Sequence, residues 1–220
     1  MIPVALPNTP VNFEARVRQP GLAFLTTTLH PTHAEWNAHN YWSRVHGELY
    51  AGHAGICVYC ASWTPRRHGT GGIDHTSIDH FVPKSRLPRE AYNWTNFRLS
   101  RSKLNQRKDR FEDVIDPCAL QPGLFRLDFT TFLIQPAPGI PAASRDRVRD
   151  TVDRLGLNSD NQYVIERARA IYRYVAGRAT FAEITRRYPF IAAEMLAQQF
   201  DAVLRPAFQA ALDKRPSLAN

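Results

Sequence analysis

The chain has 220 residues, of which 44% are hydrophobic and 22% are charged, and it carries a net charge of +8. A chain of this length can bury a substantial core without disulfides, and the composition excludes a disordered or fibrous protein. No apolar run approaches the roughly 20 residues that span a bilayer, and the first residues lack the pattern of a signal peptide. We therefore expect a cytoplasmic protein that makes no membrane contact.

Residues 1–56 are predicted to form an N-terminal packing arm. They begin with several prolines and continue with aromatic residues and histidines. A short helix is predicted from about Pro31 to Tyr50. Scattered histidines on a helix are more typical of surface or packing positions than of metal ligands; here they are His30, His33, His39 and His46.

The segment 57–112 concentrates the positive charge of the chain. It has eleven Lys and Arg residues against five Asp and Glu, a net charge of +6, which favours a polyanionic partner. The same segment contains an ordered set of polar residues. In chain order these are Asp79 and His80 in SIDHFVP, Asn96 in WTNF, and Asn105 and Lys108 in KLNQRKD.

Each of these polar residues is ordinary when taken alone, because asparagines form turns and a histidine is common in a strand. Asp79 and His80 are adjacent, so in a regular strand their side chains would point to opposite faces. A carboxylate together with an asparagine carbonyl is, however, an oxygen-donor pair that Mg²⁺ accepts while it keeps several waters. Their order within the most basic segment indicates a catalytic site.

The C-terminal third is predicted to be a helical module. Before it, FRLDFTTFLI (Phe125–Ile134) alternates apolar and polar residues as a half-buried strand does, and QPAPGIP is a predicted linker. Four helices are predicted after it from periodicity and capping signals. The first begins with Ser144 as its N-cap and stops at Gly156, the second spans about Ser159–Ala176, the third begins at Thr180, and the fourth spans about Phe190–Lys214 with a break near Pro206.

The central window resembles the HNH, or ββα-metal, nucleases, whose two strands and helix carry a DH…N…N or DH…N…H signature around one divalent ion. The stretch IDHFVPKS…NFRLSRSKLNQRKD is similar to the HNH domain of the RNA-guided CRISPR nucleases. The sequence pattern CVYC…IDHFVPKS…W.NFRLS…N..K is similar to that of the Septu and retron-associated HNH proteins. The segments TVDRLGLN and YPFIAAEML resemble the helical tails of those proteins. The resemblance implies an α+β fold with a ββα-metal nuclease core in residues 57–140 and a C-terminal helical module in residues 141–220.

The resemblance also implies a role for each polar residue. Asp79 and Asn105 would hold Mg²⁺ or Mn²⁺, and His80 would be the general base that takes a proton from the attacking water. Asn96 would fix the loop that orients His80. Three cations would neutralise phosphates of the nucleic acid: Lys84, Arg107 and Lys108.

The cysteines depart from the commonest family pattern. Many relatives hold zinc with two CxxC pairs, and Cys57 and Cys60 supply the first pair here. The positions that match the second pair are Arg101 and Leu104, so the motif alone does not give a four-thiolate site. A mixed site completed by Cys118, His68 or His75 stays open, but we favour a hairpin that is closed by packing without zinc.

The sequence therefore predicts a metal-dependent endonuclease that hydrolyses DNA phosphodiester bonds, in the setting of phage defence or restriction. Two alternatives remain open: a nucleic-acid-binding module with a catalytically silent HNH fold, and an HNH nuclease that cleaves RNA. The absence of an aromatic and basic RNA-recognition motif ranks RNA below DNA. Self-association or a partner protein of a defence system is also left open.

Overall fold

The structure, a computed structural model, describes residues 1–66 and 74–214, and over these residues it has mixed helices and strands with two small antiparallel sheets. The predicted α+β class is confirmed. The chain divides into two units. The N-terminal unit comprises Pro3–Tyr59 and Trp63–Gln121, and the C-terminal unit comprises the residues from Pro122 onward with Met1–Ile2 and Cys60–Ser62. This division differs from the predicted boundaries after residues 56 and 140.

Short helices come first in the N-terminal unit. The helix predicted over Pro31–Tyr50 is interrupted, because the chain turns at His39 and Asn40, where Asn readily leaves helical geometry. Thr32 and Glu35 begin one of the segments as a capping box. The elements are a π-helical turn Glu14–Arg18, α1 (Gln19–Thr27), α2 (His33–Ala38), a 3₁₀ turn Tyr41–Val45 and α3 (His46–Gly52).

The sheet of the N-terminal unit has two antiparallel strands, β1 (Thr76–His80) and β2 (Phe97–Arg101). Two 3₁₀ turns, Pro88–Tyr92 and Trp94–Asn96, lie in the connection between the strands, and α4 (Ser102–Lys108) follows β2 directly. The residues pair so that Asp79 lies opposite Arg98. The order is therefore strand, strand, helix.

An aromatic-rich core holds these elements together. Trp36, Tyr92, Trp94 and Phe97 are buried in it with aliphatic residues from the helices and both strands. Gly21 permits a close approach, because a Cβ atom at this position would lie 2.2 Å from the ring of Tyr92. The N-terminal residues thus pack as part of the unit that carries the strands.

The C-terminal unit begins with a small hairpin, in which β3 (Phe125–Leu127) pairs antiparallel with β4 (Ile134–Pro136). The prediction of one continuous strand over Phe125–Ile134 is wrong. Asp128 accepts hydrogen bonds from the backbone of Thr130 and Thr131, and this turn reverses the chain in the middle of the alternating pattern.

The predicted helical module is present, with differences at its boundaries. Gly156 ends the first helix in the left-handed conformation and Thr180 begins the third with a capping box, both as predicted. Ser144 is not the N-cap, because the first helix already begins at Ala142 after Pro141. The helices are α5 (Ala142–Leu155), α6 (Asn161–Val175), α7 (Phe181–Arg187), α8 (Pro189–Ala197), α9 (Phe200–Val203) and α10 (Arg205–Asp213).

The fourth predicted helix is divided into α8, α9 and α10. Gln199 adopts a positive φ of 49° between α8 and α9, and Leu204 lies between α9 and α10. The break predicted near Pro206 is present at Leu204, and Pro206 itself lies in the first turn of α10, where a proline is tolerated. Within residues 1–66 and 74–214, the helices are too short or too polar to cross a lipid bilayer.

Candidate active site

A cleft of about 640 Å³ lies in the N-terminal unit, and Asp79, His80 and Asn105 all contribute to its wall. Strand β1 supplies the first two residues at its carboxyl end, and α4 supplies the third. Adjacent residues of a strand usually point to opposite faces, yet both Asp79 and His80 line this one cleft. The structure therefore brings together three of the four predicted site residues.

Asp79 lies at the base of the cleft and is only 2% exposed. Its Oδ2 accepts a hydrogen bond of 2.5 Å from the Tyr59 hydroxyl, and its Oδ1 accepts one of 3.2 Å from the Lys108 ammonium. Burial raises the pKa of the Asp79 carboxyl, while Lys108 and Tyr59 oppose this rise because they stabilise its charged form. The Asp79 carboxylate and the Lys108 ammonium together form a buried ion pair with no net charge.

His80 is fixed in one tautomer. Its Nε2 lies 3.1 Å from the Ala91 carbonyl oxygen, which can only accept, so Nε2 carries the proton and Nδ1 is the basic nitrogen. The rings of Trp42 and Phe97 pack against the imidazole in perpendicular, edge-to-face contacts. Burial lowers the pKa of His80 to about 3, and the charges of Lys84 and Lys108 act in the same direction. The imidazole is therefore neutral at physiological pH, the form that can accept a proton, and the same lowering makes it a weaker base than an ordinary histidine.

Asn96 is not part of the cleft wall, and it fastens the connection between the two strands. Its Oδ1 accepts from the Val82 amide at 2.7 Å, and its Nδ2 donates to the carbonyls of Val82 and Glu90 at 2.9 and 3.0 Å. Glu90 directly precedes Ala91, whose carbonyl holds His80. Asn96 thus contacts the backbone next to the partner of His80, and the role predicted for it in orienting His80 stays a prediction.

Asn105 points its amide nitrogen toward β1. Its Nδ2 donates to the Ser77 hydroxyl at 3.0 Å and to the Ile78 carbonyl at 3.2 Å. These bonds fix which end of the amide is the donor and orient the side chain at the cleft wall.

The three predicted phosphate-binding cations occupy different environments. Lys84 lines the cleft, half-buried, with its ammonium 5.6 Å from the centre of the Trp42 ring. Arg107 lies on α4 and is not part of the cleft wall. Lys108 is fully buried, and its ammonium donates to Asp79 and to the carbonyls of His80 and Phe81. A phosphate-binding role for Lys108 does not agree with this position, because no surface is left for a ligand; the lysine instead acts as the internal counterion of Asp79.

Cys57 and Cys60 are buried. At the positions where many relatives carry the second cysteine pair, Arg101 and Leu104 make structural contacts instead. The Cys57 sulfur accepts a hydrogen bond of 3.3 Å from the Arg101 amide. The Arg101 guanidinium donates to the Thr64 hydroxyl at 2.8 Å and to the Trp63 carbonyl, so it joins β2 to the segment that follows the cysteines. Leu104 is completely buried.

The donor atoms of the described side chains show where a metal ion could bind. Among residues 1–66 and 74–214, no three His, Cys, Asp or Glu side chains form a group that could hold a metal ion. Cys118 and His75 lie within this part of the chain, and His68 lies outside it. At the cleft, Asp79 and Asn105 supply a carboxylate and an amide, a donor set that suits a hard divalent cation with waters in the remaining positions. A cation at Asp79 would have to share the carboxylate with Lys108 or displace it.

Tyr59 and Trp42 are two residues of the site that were not predicted from the sequence. Tyr59 is fully buried and binds Asp79 from a segment that precedes it by 20 positions in the chain. The only sequence signal for it is a phenol inside the CVYC motif, where a buried hydroxyl requires a partner. Trp42 comes from the aromatic run before α3, and nothing in that run distinguishes a cleft residue from a core residue.

Comparison with known proteins gives no family assignment. No protein-family model matches this chain, and no curated protein matches it.

Proposed function

We propose that the N-terminal unit is a metal-dependent endonuclease that hydrolyses DNA phosphodiester bonds. The observation that carries the proposal is the meeting of Asp79, His80 and Asn105 in one cleft, with His80 held neutral and in a single tautomer. The succession of β1, β2 and α4 agrees with the ββα-metal core that the sequence resemblance implies. The high positive charge of segment 57–112 is suited to a polyanionic substrate.

In this proposal His80 accepts a proton from the water that attacks the phosphorus atom. Its Nδ1 is the available nitrogen, because Nε2 is committed to the Ala91 carbonyl. Asn96 maintains that geometry through its bonds to Val82 and Glu90. A positioned base of this kind contributes on the order of 10²–10⁴ in rate.

Asp79 and Asn105 would hold Mg²⁺ or Mn²⁺, and Lys84 would contact a phosphate of the substrate. The ion that these two residues would hold would supply charge stabilisation to the transition state and to the leaving oxygen. Tyr59 and Lys108 hold the Asp79 carboxylate in place from the protein side.

A second candidate function is a nucleic-acid-binding module that performs no chemistry. It is favoured by one observation, the engagement of both Asp79 oxygens by Tyr59 and Lys108. In this case Lys108 would permanently take the place of the cation. The cationic surface would still bind DNA, but added metal would have no effect on binding or cleavage.

The two functions are separated by cleavage of supercoiled plasmid DNA. We expect nicked and linear products with Mg²⁺ or Mn²⁺, none with EDTA, and none from Asp79→Ala or Asn105→Ala, while both variants still bind DNA. Binding without cleavage at any Mg²⁺ or Mn²⁺ concentration would support the silent module, and cleavage of RNA alone would redirect the proposal to that substrate. A role in phage defence, with a partner protein or a second copy of the chain, is part of the proposal and requires a test in cells exposed to phage.

A further inference from the structure

A second cleft adjoins the candidate active site. It has a volume of about 570 Å³, and Trp42 and Ile78 belong to the walls of both clefts. Trp42 is held firmly, because its ring packs against those of Trp36, Tyr92 and His80. The two clefts are therefore neighbouring compartments on the N-terminal unit, with a rigid aromatic side chain at their common wall.

The second cleft combines several cationic or protonatable groups with hydroxyls. Arg66 is exposed, His46 and His75 are half-buried, and the hydroxyl residues Ser43, Thr76 and Ser77 complete the polar part of the wall. The described residues that line it include no acidic side chain. A guanidinium with imidazoles and hydroxyls is a donor set that suits phosphate oxygens.

The charges in this cleft act on one another. Burial lowers the pKa of His46, and the positive charges of Arg66 and His75 lower it further. The Nε2 of His46 lies 3.0 Å from the Thr76 hydroxyl, which orients the ring. Arg66 therefore carries the fixed positive charge of this cleft, while His46, with its lowered pKa, is a neutral hydrogen-bonding group beside it.

Strand β1 connects the two compartments. Its first residue, Thr76, lines the second cleft, and its last, His80, lines the first. At about 3.3 Å per residue these positions are roughly 13 Å apart. Successive nucleotides of a DNA strand advance by about 3.4 Å along the helix axis. A DNA strand that runs parallel to β1 would therefore place one phosphate at the active site and a second phosphate, a few nucleotides away, in this cleft.

We propose that the second cleft is a substrate subsite that binds a backbone phosphate a few nucleotides from the scissile one, with Arg66 as its main ligand. The inference rests on the proposed function, because it takes the substrate to be a phosphodiester chain. It adds a property that the active site alone does not have: the enzyme would need several nucleotides on the subsite side of the cut and would act poorly when the cut lies close to that end of the DNA.

The test is DNA binding by the full chain in EDTA, which separates binding from cleavage. The probe is a short fluorescent DNA duplex, and the variants are Arg66→Gln and, as a matched control, Arg89→Gln, an exposed arginine of the same unit outside both clefts. Loss of one phosphate contact should weaken binding by Arg66→Gln about tenfold and lower the slope of log K against log salt by about one. Arg89→Gln should bind like the wild type.

A second measurement identifies the phosphate. Duplexes in which one phosphate at a time is replaced by a neutral methylphosphonate should reveal a position, away from the cut, at which the wild type loses affinity. Arg66→Gln should be insensitive to the replacement at that position alone, because both changes remove the same contact. The subsite is refuted if Arg66→Gln binds as the wild type does, or if its loss is the same for every replaced phosphate. If Arg66→Gln and the replaced phosphate show this coupling but the wild type never cuts DNA, the proposed nuclease function is refuted and the phosphate-binding subsite is retained.

Discussion

Lys108 and Asp79 show how a single buried pair defines the candidate site. Lys108 has no exposed surface, and its ammonium donates to Asp79 and to the carbonyls of His80 and Phe81. A buried lysine is stable only when its charge is paired and its donors are used, and both conditions are met here. The same contacts fix the direction of the backbone at the end of β1, where the candidate metal ligand Asp79 and the candidate base His80 lie.

Removal of this lysine should affect stability and metal binding together. We expect Lys108→Met to lower the free energy of unfolding by about 3–5 kcal/mol, because it leaves the Asp79 charge buried without a partner. Added Mg²⁺ should restore part of this loss in the variant and little in the wild type, because the cation then becomes the counterion. Urea unfolding with and without Mg²⁺ measures both effects. An equal response to Mg²⁺ in the two proteins would show that the cation does not bind at Asp79.

The connection between β1 and β2 shows how one side chain can organise an element. Asn96 makes three hydrogen bonds to the backbone of Val82 and Glu90. The segment between them contains Pro83 and Lys84, and Ala91, whose carbonyl is the partner of His80, follows it directly. Asn93, in the same connection, instead bonds within its own turn, to Thr95 and Glu90. The two asparagines are therefore a functional candidate and its natural control.

Asn96→Ala should loosen this connection and reduce catalysis. Loss of the bonds to buried backbone groups should destabilise the protein by about 1–3 kcal/mol. Hydrogen exchange at the Val82 amide, which donates to Asn96, should accelerate, and the cleavage rate should fall. Asn93→Ala should leave the exchange of Val82 unchanged. Protection of Val82 that persists in Asn96→Ala would contradict the role assigned to this side chain.

The elements also show what local sequence can and cannot predict. Gly156 and Thr180 were identified correctly because helix caps depend on residues within one turn. The hairpin at Phe125–Pro136 was missed, because an alternating pattern reads the same for one long strand and for two short ones around a turn. Tyr59 was missed for a different reason: its contact with Asp79 is long-range, and no local pattern encodes it.

At the scale of the whole molecule, buried histidines link stability to pH. His53 is buried, and its Nε2 has no hydrogen-bond partner among the described residues. Burial lowers the pKa of His53 to about 4, and the nearby Arg98 charge acts in the same direction. The unfolded chain binds a proton at His53 near pH 6.5, so the unfolded state takes up protons first.

The contribution of neutral His53 to the free energy of unfolding should therefore be fully present above about pH 6.5 and should decrease as the pH falls from there toward 4. The contribution of His53 is on the order of 2 kcal/mol. Urea unfolding across this range should show a smaller decrease for His53→Gln than for the wild type, and an unchanged decrease for His33→Gln, whose side chain is exposed. The same decrease in all three proteins would show that His53 is not buried in its neutral form.

The central claim is that His80 activates water for phosphodiester cleavage, and the single-turnover cleavage rate of His80→Ala tests it most directly. His33→Ala is the matched control, because His33 lines the same cleft but is exposed. With Mg²⁺ present, we expect His80→Ala to bind DNA like the wild type and to cleave it about 10²–10⁴ times more slowly, while His33→Ala retains the wild-type rate. A His80→Ala protein that cleaves within tenfold of the wild-type rate, at unchanged DNA affinity, would contradict the account.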